Sequence, residues 1–218
     1  MAENNKELKP QNVPMLALFF GLNVAVLFIV AGGQGTAFTL EQFIKTIGSM
    51  QNGAIVLVTS LAVIVLDGLV PEVLKDILVF WRWPHPLPGC RAFSTFAPKY
   101  PHLINIEAIR KRVKPWPAKN QPDKQNKRWL DLAIQQQAEP AVSQAHRNFL
   151  LTKEMTSLSA LFLVLFPGML CLTEATALRT IAIYAGGLVV QWLLIALASR
   201  NYGNNFVIIV LSRASSGR

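Results

Sequence analysis

Three groups of side chains in this sequence are of types that could do chemistry. His85, Cys90 and His102 fall within one eighteen-residue segment and offer the nitrogen and sulfur donors of a zinc site. Their spacing matches no compact ligand pattern, and no fourth ligand is evident. Structural histidines and a buried thiol are the expectation, so no metal, cofactor or catalytic residue is assigned. The second group is the basic run Arg110, Lys111, Arg112 and Lys114, with Trp116 just after it. Such a cluster can meet anionic lipid headgroups, at about 1 kcal/mol per basic residue near the surface. It could also meet the phosphates of a nucleic acid, but no nucleic-acid motif accompanies it. The third group is polar side chains inside apolar runs, namely Asn23, Asp67 and Gln191. An ionisable residue at membrane depth is by default a functional one, yet Asp67 stands near the end of its run, where hydration at the interface accounts for it equally well.

The search for catalytic signatures is negative. The chain has no Gly-x-Ser-x-Gly elbow, no His-Glu-x-x-His, no P-loop and no Gly-x-Gly-x-x-Gly. Gly32-Gly33-Gln34-Gly35 is glycine-rich but follows an apolar run, the wrong context for a phosphate cradle. With two cysteines the chain has no disulfide framework. Cys90 and Cys171 are expected near opposite faces, so no bridge between them is expected.

The elements that must position these residues are apolar. Hydrophobic residues make up 52% of the 218 and charged ones only 15%, against about 25% charged in an average soluble domain. That excludes a disordered chain and argues against an ordinary soluble enzyme. Val13–Ala31 holds nineteen residues with the single polar side chain Asn23, close to the roughly 20 residues that cross a hydrocarbon core. The preceding tail balances Lys6 and Lys9 with Glu3 and Glu7, unlike the basic n-region of a signal peptide. An uncleaved first span is therefore expected, with Pro14 in its first turn. Gly53–Val70 is the second run, followed by Pro71. Beyond it, Val73, Leu74, Ile77, Leu78 and Trp81 recur at helical spacing, an amphipathic continuation with Trp81 and Trp83 as interface anchors. The sequence leaves open whether the helix bends at Pro71. Ser157–Leu172 is the third run, which Pro167–Gly168 should kink or end early. Thr180–Ala198 is the fourth, only seven residues after the third, so these two form a tight antiparallel hairpin.

Charge gives orientation. The connection Trp81–Ser157 carries thirteen Lys and Arg against five Asp and Glu, nearly all of the chain's net charge of +9. Positive loops stay cytoplasmic, so the N-terminus, the central segment and the C-terminus are placed inside, with 32–52 and 173–179 outside.

Within the central segment, Pro84–Pro101 has five prolines and reads as an extended, packed connector. His102–Lys114 reads as a helix that Asn105 could cap. Ala118–Lys127 reads as a loop, Arg128–Glu139 as amphipathic, and Pro140 as the first turn of a helix running into span three. A unit of this size builds a small core and needs support from the membrane helices or a partner.

The expected fold is an all-α membrane protein with four transmembrane helices in two hairpins and a small, mostly helical, proline-rich cytoplasmic insertion between helices 2 and 3. The expected divisions are 1–83, an N-terminal hairpin with its amphipathic extension; 84–147, the basic insertion; 148–200, the C-terminal hairpin; and 201–218, a cytoplasmic tail. Ala17, Gly21 and Ala25 recur every four residues in span one, as do Ala182 and Gly186 in span four. Small residues at this spacing let helix backbones approach closely, and Asn23 and Gln191 could bond across such faces.

The expected function is a non-enzymatic, self-associating pore-forming or membrane-perturbing effector, controlled through its basic segment. Small bacterial effectors of stress and antiphage modules share this layout, an analogy of architecture only. The alternative is a membrane anchor or sensor that recruits a soluble partner through 84–147; a lipid-modifying enzyme or transporter is the least favoured. The expected partners are the lipid bilayer, further copies of the chain and a soluble cytoplasmic protein; nucleic acid is not expected. The expected location is a bacterial inner membrane.

Overall fold

The computed structural model describes residues 2–32, 61–66, 68–172 and 177–216. Half of the second apolar run lies outside them, as do Asp67 and residues 33–52 and 173–176. Within the described residues the chain is all-helical, with no strand. Three helices are long and apolar enough to cross a membrane. They are α1 (Ala2–Gly32), α6 (Pro140–Leu172) and α7 (Leu178–Ser216). Between α1 and α6 come α2 (Glu72–Phe80), α3 (Ala97–Lys99), α4 (Ile106–Arg112) and α5 (Pro122–Gln135).

Several boundaries differ from the sequence reading. The first helix begins at Ala2, so Pro14 sits well inside it rather than in its first turn. Pro167 neither ends nor shortens α6, which continues to Leu172. A proline removes one intrahelical bond, and the turns on either side hold the helix. Pro71 does interrupt the chain: its carbonyl accepts from the Lys75 N–H at 3.0 Å, and α2 starts after it. The proline-rich connector is not extended. It coils into a 3-10 turn (Pro88–Arg91), a π-helical turn (Ala92–Phe96) and α3, three short turns of different pitch. Pro88 and Pro98 stand at the starts of the 3-10 turn and of α3, where no N–H is required. Helix α5 begins at Pro122, inside the expected loop, because Pro122 occupies its first turn. Asn105 caps α4, its side-chain oxygen accepting from the Ala108 N–H at 3.1 Å.

The chain forms two compact units. One comprises Met1–Pro10, Asp76–Lys153 and Ala196–Arg218; the other comprises Gln11–Lys75 and Glu154–Ile195.

The first unit has a continuous hydrophobic core. Val79 and Phe80 of α2, Phe93 and Phe96 of the π turn, Ile109 of α4, Trp129 and Leu132 of α5 and Phe149 of α6 all contribute. So do Phe206, Val207, Val210 and Leu211 of α7, all at most 2% exposed. Residues 201–216, read from sequence as a tail, are therefore a helical core element. A central segment too short to close a core by itself closes it with the ends of helices from elsewhere in the chain. Two glycines make the packing possible. A Cβ on Gly89 would collide with Asn126 Oδ1 and lie 2.6 Å from the Trp129 ring, so glycine lets the 3-10 turn lie against α5. A Cβ on Gly203 would lie 2.8 Å from Phe80 and 2.9 Å from Phe149. These two rings pack 6.0 Å apart between centroids.

On α2, part of the apolar face expected at the interface is exposed and charge lies inside. Val73 and Leu74 are exposed, while Lys75 and Asp76 are buried. Lys75 pairs with Glu72 at 3.5 Å, and Asp76 pairs with Lys153 at 2.5 Å. Buried charges persist only when paired, and these pairs let α2 turn its charged side inward.

The second unit packs aromatically. Phe162 meets Phe19 and Phe20 at 5.9 and 5.6 Å and stacks on Phe166 at 4.7 Å. Leu18, Leu22, Val164, Met169, Ile183 and Leu194 point outward, each more than half exposed. A water-facing surface rarely carries so many large apolar side chains together, and a hydrocarbon-facing one requires them. Fold and surface are consistent with a multi-pass membrane protein.

Candidate functional site: a cationic cavity

Helix α2 stops at Phe80, and the backbone turns at Trp81 with φ 50°. A left-handed residue of this kind costs about 1–2 kcal/mol, and its contacts hold it there. The Trp81 indole N–H donates to the Leu78 carbonyl at 2.8 Å, and the Arg200 guanidinium lies over the ring, 4.2 Å from its centroid. The Arg200 Nε–H donates to the Val79 carbonyl at 3.3 Å. The α2 end, its following loop and α7 are thereby fixed around one arginine.

That arginine forms part of the wall of a cavity of about 530 Å3 within the first unit. Arg82, Arg91 and Lys99 contribute from the loop and short turns. Arg200, Asn201, Asn204, Asn205 and Ile208 contribute from a single face of α7, and Phe80, Phe96, Tyr100 and Thr95 complete the wall. Four cations line this space, and among the described lining residues there is no acid. Arg91 Nε and Arg200 Nη2 are buried without a hydrogen-bond partner. Burial, and then the nearby Arg82 and Arg200 charges, hold the Arg91 pKa below the ordinary arginine value.

Gathering like charges at this wall opposes folding, because the partly buried Arg91 and Arg200 lose water and feel the charge of Arg82, although Arg82 and Lys99 are themselves exposed. An oxyanion relieves both costs. Arginine forks match phosphate and carboxylate oxygens two at a time, and the asparagine carboxamides add neutral donors. A cavity of this volume suits a small organic ligand, and the rings of Phe80, Phe96 and Tyr100 offer an apolar flank beside the charges.

The basic cluster singled out in the sequence is a separate feature. Arg110, Lys111, Arg112 and Lys114 are exposed at and just beyond the end of α4, outside the cavity lining. Arg110 lies over Trp116 at 5.2 Å, and Trp116 meets Phe93 edge-on at 5.1 Å. Of the two expected interface anchors, Trp81 stacks with Arg200, and Trp83 is 75% exposed. Asn23 and Gln191 meet within the second unit: Gln191 Nε2 donates to Asn23 Oδ1 at 3.0 Å, and Asn23 Nδ2 donates to the Phe19 carbonyl. Ala17 and Ala25 are buried and Gly21 is half-buried, whereas Ala182 and Gly186 are exposed. Asp67 lies outside the described side chains. His102 packs against Tyr100, with ring centroids 6.2 Å apart, while His85 and Cys90 come together with Asp123 instead.

Sequence reasoning missed the cavity because its cations are dispersed over more than a hundred residues, from Arg82 to Arg200. One local signal was present: Arg200, Asn201, Asn204 and Asn205 place a polar face on an otherwise apolar helix. Comparison with known family models, curated proteins and solved structures gives no match to this chain.

Proposed function

We propose that this chain is a non-enzymatic, multi-pass membrane effector that is switched by an oxyanion-bearing small ligand bound in the cationic cavity. The observation that carries the reading is the cavity wall: four cations face a common space with no described acid among them, and two guanidinium N–H groups lack partners. Energy held in that repulsion is released on ligand binding, which makes occupancy a means of control. The proposed output is permeabilisation of the bilayer by self-associated spans. Ala182 and Gly186 support this, being small and outward-facing on a helix able to span the membrane. The excess of positive charge in the central segment supports a cytoplasmic position for the cavity and both termini; the membrane proposed is a bacterial inner membrane.

The test uses the full chain in liposomes loaded with a self-quenching dye. Pyrophosphate is the soluble probe, and phosphatidic acid in the bilayer is the lipid probe. Dye release on addition of either, lost when Arg91 and Arg200 are replaced by Gln, is the expected result. The two arms tell a free ligand from a headgroup. Vesicles that stay sealed with both probes, at protein densities that permit oligomers, refute the effector reading.

A second reading, a membrane anchor for a soluble partner with an acidic surface, is favoured by the exposure of Arg110, Lys111, Arg112 and Lys114 away from the cavity. Reversing these four charges should abolish capture of such a partner by the full chain. Capture that survives the reversal refutes it.

A further inference from the structure

We infer that His85, Cys90 and Asp123 form a binding site for a divalent transition-metal ion, zinc by its donor set. The three residues come from two elements. His85 and Cys90 flank the entry to the 3-10 turn Pro88–Arg91, and Asp123 stands in the first turn of α5. One donor atom from each lies within 4.8 Å of the other two. One pair, His85 Nδ1 and Asp123 Oδ1, is 2.9 Å apart. In a tetrahedral zinc site, metal–ligand bonds of about 2.0–2.3 Å place donors roughly 3.5 Å from one another. The cluster therefore needs a closure of only about an ångström at its widest edge. It can supply this, since Asp123 is 83% and His85 37% exposed at the side chain while Cys90 is buried.

Three further observations point the same way. His85 is held at φ 59°, a left-handed conformation costly for a residue with a side chain and one that collects at functional sites. Asn126 stands one helical turn beyond Asp123 on α5, and its Oδ1 is buried without a hydrogen-bond partner next to Gly89. It is a neutral oxygen beside the residue that precedes Cys90; water can fill a fourth position. The charges balance as well: a thiolate and a carboxylate beside a neutral imidazole neutralise a divalent cation. On binding, the Cys90 thiol gives its proton to solvent.

The same three residue types could be read as a nucleophile, base and orienting acid. That reading requires an accessible thiol, and Cys90 is 5% exposed. A simple His85–Asp123 ion pair leaves the convergence of the thiol unexplained. The metal reading uses all three groups and gives the ion a structural role, in which it clips the turn that carries Arg91 to the first turn of α5.

The experiment uses the full chain in detergent, stripped with a chelator and titrated with Co2+ as the spectroscopic stand-in for zinc. Saturation at one equivalent is expected, with the d–d absorption of tetrahedral cobalt and a sulfur-to-cobalt charge-transfer band, both abolished by added Zn2+. Cys90→Ser should remove the charge-transfer band. Asp123→Asn alters an exposed side chain and should leave the metal-free melting temperature unchanged. It should weaken Co2+ binding at least about tenfold, the lower end of what losing even an outer partner costs a metal site. Cys171→Ser should change nothing. Non-saturable binding, an octahedral spectrum without the sulfur band, or a spectrum indifferent to both Cys90→Ser and Asp123→Asn would overturn the assignment.

Discussion

Replacing Arg91 by Gln should make the ligand-free protein more stable and the ligand-bound protein less so. Arg91 is partly withdrawn from water, its Nε has no acceptor, and Arg82 and Arg200 lie near enough to disfavour its charge. Its proton is retained at pH 7 in both folded and unfolded chains, so the cost of holding it falls on the folded state alone. A neutral side chain removes that cost. Toward an oxyanion the sign reverses. A charge-assisted hydrogen bond contributes about 1.5–3 kcal/mol, so losing one weakens binding roughly ten- to a hundredfold. At a ligand concentration a hundred times the parent's Kd, binding stabilises the parent by about 2.7 kcal/mol. A variant weakened a hundredfold gains only about 0.4 kcal/mol from the same solution. Thermal unfolding of both proteins in detergent, with and without pyrophosphate, reads the two effects in one experiment. A ligand-free variant that melts below the parent means that Arg91 is a structural arginine. An equal pyrophosphate shift in both proteins means that Arg91 does not face the ligand. Either result refutes the reasoning.

Four other outcomes follow from the packing. Asp76→Ala should destabilise by up to about 3–5 kcal/mol, because the buried Lys153 loses its 2.5 Å carboxylate contact; the double change Asp76→Leu with Lys153→Met should recover most of it in the same denaturation assay, and a double variant no better than the single one counts against the ion pair. Gly203→Val should cost about 1–3 kcal/mol, since the new side chain meets Phe80 and Phe149 below 3 Å; an unchanged melting temperature would show that the rings yield freely. Asn105→Ala should cost about 1 kcal/mol by removing the cap of α4, measurable as a lowered melting temperature. Gln191→Leu should cost only about 0.6 kcal/mol, the usual worth of one hydrogen bond between membrane helices, and a loss of several kcal/mol would assign that pair a larger role.

Composition and local spacing settled what depends on near neighbours along the chain. Three helices able to span a membrane follow from runs of apolar residues long enough for a bilayer, since the hydrophobic term is a sum over a segment and needs no knowledge of what faces it. The cap at Asn105 and the start of α6 at Pro140 follow from rules that reach three or four residues. The interior was decided only in three dimensions. Lys75 and Asp76 are buried against every hydrophobic scale, because ion pairs, one of them to a residue far along the chain, outweigh the cost of removing water. The end of α7 reads as a cytoplasmic tail until Phe206 and Val210 are seen filling the core that the short central turns leave open. Arg82, Arg91, Lys99 and Arg200 are four ordinary basic residues in the sequence. They share one cavity wall only because a turn at Trp81 and one face of α7 bring them together, and electrostatic energy depends on distance in space, not on distance along the chain.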